Sequence, residues 1–302
     1  TLPSGGSSTI NRWRFGTGAS PRISIVAGIR GDTPEGMRVA YSLMQALGRL
    51  ESTLEGTIDV YPCVNPLAAE QGRRFWPFFE VDLNRVFPGK EFGHPPDRVA
   101  HRLVQCVQGS DYVWELRGAR PSFRETTQAL VRSGDEVATK LAMNANVQVI
   151  WRRPLGPAAP STFAYQFPHA VVLEGGAGNR LTATVGKDLH DGVLNMLCSV
   201  GVIPEAPLPI PWAAIERPVI VGDSEVVRVR AESSGLFLPA TDLGDSLPAR
   251  GIVGHVIAPE SGEQLQEITV AQPGTVMAIR EHPVVTVGMM VARILMHAEG
   301  GE

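Results

Sequence analysis

Hydrophobic and polar positions follow two different rhythms along this chain. Residues 23–27 (Ile-Ser-Ile-Val-Ala) form a short apolar run that predicts a buried strand. The turn Gly31-Asp32-Thr33-Pro34-Glu35-Gly36 follows, and residues 37–50 then place apolar side chains at helical spacing. Residues 57–64 are β-branched and aromatic, which predicts a second strand. Asn65-Pro66 ends it, because the residue before a proline avoids the helical region. An amphipathic helix is expected over 97–108, with Val99, Leu103, Val104 and Val107 on one face. Further strands are expected at 112–118, 146–151 and 167–176, then a closing helix at 185–197. Residues 1–20 read as an arm with one strand around 12–15. Strands alternating with helices predict an α/β fold, a parallel or mixed sheet with helices on both faces.

Beyond about residue 218 the rhythm changes. Short β-rich runs at 226–231, 251–257, 266–270, 274–280 and 284–295 are separated by glycine turns, and no helical period runs through them. This spacing fits a small β-sandwich or barrel. Residues 204–218 are proline-rich and read as a linker. The expected organisation is an α/β domain over 1–205, a linker over 206–218 and a smaller all-β domain over 219–302, without internal repeats.

Composition adds mostly exclusions. The chain has 302 residues, 43% of them hydrophobic, and a net charge of −4. That balance fits a soluble globular protein and lacks the basic stripe that nucleic acid requires. No apolar run approaches the roughly 20 residues of a membrane span, and the first ten residues have no apolar core of a signal peptide. Cys63, Cys106 and Cys198 are scattered, which predicts free, mostly buried thiols and a cytoplasmic setting. His94 and His101 do not form an i, i+4 metal pair and read as solvated, and His190 is expected on the exposed side of its helix.

The polar motifs carry the chemistry. Gly28-Ile29-Arg30-Gly31-Asp32-Thr33-Pro34-Glu35-Gly36 resembles the metal-binding turn of the succinylglutamate desuccinylase/aspartoacylase family, relatives of the zinc carboxypeptidases. Asn65-Pro66, Arg73-Arg74, Asp82-Leu83-Asn84-Arg85 and Phe87-Pro88-Gly89 follow in the family's order. The resemblance extends from about residue 23 to 295, through a Gly-Leu-Phe-Leu-Pro element near the end. It implies a zinc-carboxypeptidase-like mixed sheet flanked by helices, and hydrolysis of the amide bond of an N-acyl amino acid. In the family a His and a Glu in the first turn and a His after a later strand hold zinc. Here those places are taken by Arg30, Thr33 and Arg117. A guanidinium has no lone pair to offer and stays protonated. The resemblance gives Arg73 or Arg74, Asn84 and Arg85 the task of gripping a substrate carboxylate, which a guanidinium fork suits. Glu174, followed by two glycines, matches the general base.

Three readings stay open on the sequence. The first is a degenerate hydrolase that binds a small carboxylate or N-acyl amino acid without zinc or another cofactor. The second is an active enzyme, metal-free or with an atypical carboxylate site from Asp32, Glu35, Glu115 and Glu174. The third is a non-catalytic homo-oligomeric scaffold whose old pocket is a salt-bridge network. Arg30 and Arg117 should converge, and two like charges in a partly buried pocket need an anion between them. Asp32, Glu115 and Glu174 are the expected carboxylates. Arg74 and Arg85 should face the same cavity, and loss of Glu174 alone should be strongly destabilising.

Overall fold

The structure is a computed structural model that describes residues 5–6, 9–204 and 217–297. The expected linker over 206–218 therefore lies outside the described residues up to position 216. The elements in order are β1 (Trp13–Phe15), β2 (Arg22–Ala27), α1 (Pro34–Leu50), β3 (Thr57–Tyr61), α2 (Pro66–Glu70), α3 (Pro95–Val107), β4 (Tyr112–Leu116), β5 (Phe123–Arg132), α4 (Glu136–Ala142), β6 (Val149–Arg153), β7 (Val171–Ala177) and α5 (Ala183–Ser199). The later strands are β8 (Val219–Gly222), β9 (Val226–Arg230), β10 (Gly235–Pro239), β11 (Ser246–Leu247), β12 (Ile252–Ile257), β13 (Gln264–Thr269), β14 (Gly274–Arg280), β15 (Val284–Val285) and β16 (Met290–Met296).

A mixed sheet organises the chain, with strand order β1-β3-β2-β4-β7-β5-β14-β16-β9, β6 beside β5, β8 beside β6 and β11 beside β14. The pairs β2–β3, β2–β4 and β4–β7 are parallel, so their carboxyl ends share one edge. β5 runs antiparallel to β7. Alternation along β2 sends Ile23, Ile25 and Ala27 to the layer of α1, α4 and α5, and Val26 to the layer of α3. On α1, Val39, Ala40, Leu43 and Leu47 are fully buried against the first layer. Each large apolar side chain hidden this way contributes about 1.5–3 kcal/mol. Pro34 opens α1, where a missing amide proton costs nothing.

The strands after residue 217 divide between two sheets. β14 pairs with β5 (Ala278 opposite Glu125), which continues the central sheet into β16 and β9. β13, β12, β10 and β15 form a separate four-stranded sheet. Across the junction Arg293 Nη2 donates to Glu125 Oε1 at 3.1 Å, both side chains fully buried. Burial and the neighbouring Glu174 push the Glu125 carboxyl up to about 8, against the pull of Arg120, which stands at 3.3 Å. The Arg293 contact works in the same direction as Arg120, favouring the charged carboxylate.

Several local expectations need correction. The run 284–295 is two strands, β15 and β16. Among the described residues no disulfide joins the three cysteines, and they are only half-buried. His190 is also half-buried, with Nδ1 3.0 Å from Asp191 Oδ1.

Candidate functional site

The opening turn is clamped on both sides. Gly28 takes φ +65° at the exit of β2, a backbone state that favours glycine. A Cβ on Gly31 would come within 2.1 Å of the Ala68 backbone in α2, and Gly31 N donates to Arg73 O at 3.0 Å. Thr33 Oγ1 donates to the Arg30 carbonyl at 3.1 Å. The Arg30 side chain forks onto Asp82, with Nε to Oδ1 at 2.9 Å and Nη2 to Oδ2 at 2.7 Å. Arg74 approaches the same Oδ2 at 2.8 Å. Asp82 also caps the turn at Leu83–Arg85, accepting from Asn84 N at 3.0 Å. Burial alone would raise the Asp82 pKa, but the Arg30 hydrogen bond and the charges of Arg30 and Arg74 outweigh it and hold it low.

The carboxylate beside Arg30 is therefore Asp82, not Asp32, Glu115 or Glu174. Asp32 is buried, and its Oδ1 has no hydrogen-bond partner among the described residues. Burial pushes its carboxyl up, against the charges of Arg30 and Arg74.

Arg117 leaves the end of β4 next to that turn. The approach is close because Gly36 packs on β4, where a Cβ would lie 2.4 Å from the Leu116 carbonyl oxygen. Arg117 makes a fork with Glu115, Nε to Oε1 and Nη2 to Oε2, both at 2.6 Å. Glu174 stands farther off, at 3.8 Å from Arg117 Nη1. Burial opposes the Arg117 charge, but Glu115 and then Glu174 more than restore it, and its pKa is raised. Glu174 Oε1 accepts from Gln128 Nε2 at 3.0 Å, and the same Nε2 lies 3.3 Å from Glu125 Oε2. Since Arg117 relies mainly on Glu115, the strong effect expected for Glu174 moves to Glu115.

Asn84 is buried and used on both ends of its amide. Nδ2 donates to Glu115 Oε1 at 3.4 Å, and Oδ1 accepts from Phe163 N at 2.7 Å. Arg85 has no such anchor: among the described residues its one hydrogen bond runs from Nη1 to the Asn84 carbonyl, at 3.1 Å. Burial and the charges of Arg30, Arg74 and Arg117 push its pKa down, with Asp82 opposing.

These elements border a cavity of about 200 Å³ lined by Arg30, Asn84, Arg85, Arg117, Arg132, Asp135 and Arg153 together with apolar groups such as Leu155 and Phe167. Arg74 does not line it, contrary to expectation; it is held on Asp82. Arg73 is farther still, in a surface pair with Glu80 at 3.1 Å. Sequence reasoning missed Asp82, Arg132 and Arg153. Arg132 and Arg153 are register partners at the ends of β5 and β6. Arg132 donates to the Tyr165 carbonyl at 3.1 Å and lies over the Tyr165 ring. Arg153 lies over the Trp151 ring, with Asp223 at 3.7 Å. The one lining carboxylate, Asp135, caps α4 and meets His169 Nδ1 at 2.9 Å.

The side chains at the family's zinc positions do not fit a zinc ion. Two are guanidinium groups locked in bidentate ion pairs, and the Thr33 hydroxyl donates its proton to a carbonyl. The alternative carboxylate set is dispersed. Glu35 is held by Arg38 at 2.6 Å and by Thr182 N at 2.6 Å, where it ties α1 to the start of α5. Among the described residues no three His, Cys, Asp or Glu side chains gather as a metal site, and no helix is long and apolar enough to cross a membrane.

The wider comparisons agree with this frame. Residues 19–116 match the family model of the succinylglutamate desuccinylase/aspartoacylase catalytic domain. No curated protein matches the sequence. Among solved structures, a succinylglutamate desuccinylase/aspartoacylase from Rhodobacter sphaeroides superposes with a TM-score of 0.81 at 22% identity, over 95% of this chain and 88% of that one. The product-bound ectoine utilization protein EutE (DoeB) from Ruegeria pomeroyi gives 0.83 at 20% identity, over 97% and 90%. An aspartoacylase family protein from Mesorhizobium loti gives 0.76 at 21% identity, over 95% and 88%. The mixed sheet, its flanking helices and its C-terminal strands are thus the fold of these proteins, and residues 19–116 carry the sequence pattern of the succinylglutamate desuccinylase/aspartoacylase catalytic domain.

Proposed function

We propose that this chain binds a small organic carboxylate, of the N-acyl amino acid kind, in the arginine-lined cavity, and that it does so without zinc-dependent amide hydrolysis. Arg85 is the observation that carries this reading. It is a guanidinium at the cavity wall with a carbonyl as its hydrogen-bond partner, and three further cations surround it. A carboxylate placed there would make charge-assisted, bidentate bonds and would offset the charges of Arg30, Arg74 and Arg117, which add to desolvation in lowering the Arg85 pKa. Arg132 and Arg153 add positive charge to the lining, and Leu155 and Phe167 supply apolar surface for an acyl chain.

Hydrolysis is a different matter. Metal-bound water owes its low pKa to direct coordination, and Arg30, Thr33 and Arg117 are poor replacements for the ligands. Glu174 retains the position of a base, but its nearest cation is a guanidinium that cannot activate water as a Lewis acid.

Calorimetric titration with N-acetylaspartate and N-succinylglutamate, with and without added zinc, tests the proposal. Saturable binding of at least one acid, lost in Arg85→Met, is the expected result. Product release is expected to stay at background, and protein purified from rich medium without chelator should carry well under one equivalent of zinc. Absence of binding at millimolar ligand would leave the scaffold reading. Zinc at one equivalent with chelator-sensitive turnover would establish the hydrolase instead.

A further inference from the structure

A second cavity is bordered by α3 and by the loop segment that carries Trp76. Its volume is about 600 Å³, and its walls come from residues 9–12, Tyr61 at the end of β3, Trp76, and the α3 residues Arg98, Val99 and Arg102. It shares no lining residue with the arginine-lined cavity described above. We propose that this cavity is a separate binding site for a small organic anion with an apolar body, a carboxylate or a phosphate ester.

Two independent observations support the assignment. First, Trp76 is fully buried and lines the cavity, and its indole Nε1–H has no hydrogen-bond partner among the described residues. Trp114 and Trp151 also have unpaired indole nitrogens, but neither lines this cavity. A buried donor of this kind is costly unless an acceptor meets it, and the residue that carries it borders the cavity. The backbone around Trp76 is fixed, with Trp76 N donating to Val81 O at 2.7 Å and Trp76 O accepting from Glu80 N at 3.0 Å.

Second, the charge at the walls has one sign. Arg12, Arg98 and Arg102 line the cavity and, among the described residues, no carboxylate does. Arg12 reaches Asp59 only at 3.7 Å, and exposed Arg102 makes a long 3.4 Å contact to Gln105. Tyr61 spends its proton on the Cys106 carbonyl at 3.2 Å, so its oxygen is not a competing donor. An indole N–H and guanidinium groups together select an acceptor-rich anion. Ile10, Pro95, Val99 and the Trp76 ring give the rest of the ligand an apolar wall.

The test titrates the full chain with hexanoate, hexyl phosphate and 1-hexanol. Calorimetry gives affinity, and the ¹⁵N–¹H signals of the five tryptophan indoles give location, with Trp76→Phe identifying the relevant one. At least one anion is expected to bind saturably and to move the Trp76 indole signal most, with hexanol much weaker. Arg102→Ala, an exposed position that does not threaten folding, should weaken the anion about tenfold. Arg85→Met, in the other cavity, should leave it unchanged. Preference for hexanoate or for hexyl phosphate then decides between carboxylate and phosphate. If neither anion binds, if hexanol binds equally well, if Arg102→Ala has no effect or if Arg85→Met abolishes binding, the assignment is wrong.

Discussion

Two kinds of arginine meet in the cavity between β2, β4 and β5. Arg30 and Arg117, on the inner wall, each form a two-point fork with a buried carboxylate, Asp82 or Glu115. Arg85 and Arg132 have backbone carbonyls instead, and Arg153 has an aromatic face with Asp223 at a distance. The inner pair occupies two of the positions that the motif resemblance assigns to metal ligands, and its charge is neutralised locally. The outer three keep theirs. The difference separates arginines that replace the ion as structural cross-links from arginines still able to receive a ligand.

The largest effect should come from breaking an inner fork. Glu115→Gln removes the two-point partner of the largely shielded Arg117 and leaves Glu174 at 3.8 Å as the remaining carboxylate, and is expected to cost about 2–3 kcal/mol by chemical denaturation. Glu115→Gln combined with Arg117→Met should recover most of that loss. Glu174→Gln should cost about 1 kcal/mol or less, because Arg117 keeps its fork and Gln128 can still hydrogen-bond an amide. If Glu174→Gln is the more damaging of the two, the division of partners around Arg117 is wrong.

Acid should reveal the second fork. The folded-state pKa of Asp82 lies below its unfolded value of about 3.9. Its contribution is therefore complete above that value and is lost as pH falls through the lower folded one. Asp82→Asn should destabilise the protein at pH 7 and flatten the part of the melting-temperature profile below about pH 4. An unchanged acid slope would show that Asp82 carries none of it.

On the outer wall the sign reverses. Arg85→Met should leave stability within about 0.5 kcal/mol of the parent while lowering affinity for an N-acyl amino acid roughly 10–100-fold. A large loss of stability would place Arg85 with the inner group. The smallest effect is expected at Arg73, where Arg73→Ala removes an exposed pair and should change stability by less than about 1 kcal/mol and affinity not at all.

What the sequence made legible follows from how local each signal was. The strand, glycine turn and helix of residues 22–50 were readable because each is set by near neighbours, although the helix starts at Pro34, inside the expected turn, and not at residue 37. That Arg30, Thr33 and Arg117 carry side chains unsuited to binding zinc follows from residue identity alone. Asp82 as the partner of Arg30 was not, because the two are 52 positions apart and the motif drew attention to Asn84 and Arg85 beside it. β5 was missed for a related reason. Its run Phe-Arg-Glu-Thr-Thr-Gln-Ala-Leu-Val-Arg buries Glu125, Thr127 and Gln128, and buried polar residues blur the alternation that announces a strand. Without β5, Arg132 had no place, and its neighbour Arg153 lost its context. α4 has only seven residues, too few for a helical period to show. The pairing of β14 with β5 is a contact between segments whose own patterns do not name their partners.

The ion pair between Glu125 and Arg293 has a consequence for the order of events in synthesis. The two residues are 168 positions apart and fully buried together. Bringing such distant segments together is an entropic cost that must be met before the contact returns anything. Until β16 has left the ribosome, Glu125 has no Arg293, and the flank of β5 that later meets β14 stays open to other strands. Translation must thus add 168 residues after Glu125 before this junction can close, and chaperone dependence during that interval should exceed that of a protein whose buried polar contacts are all local.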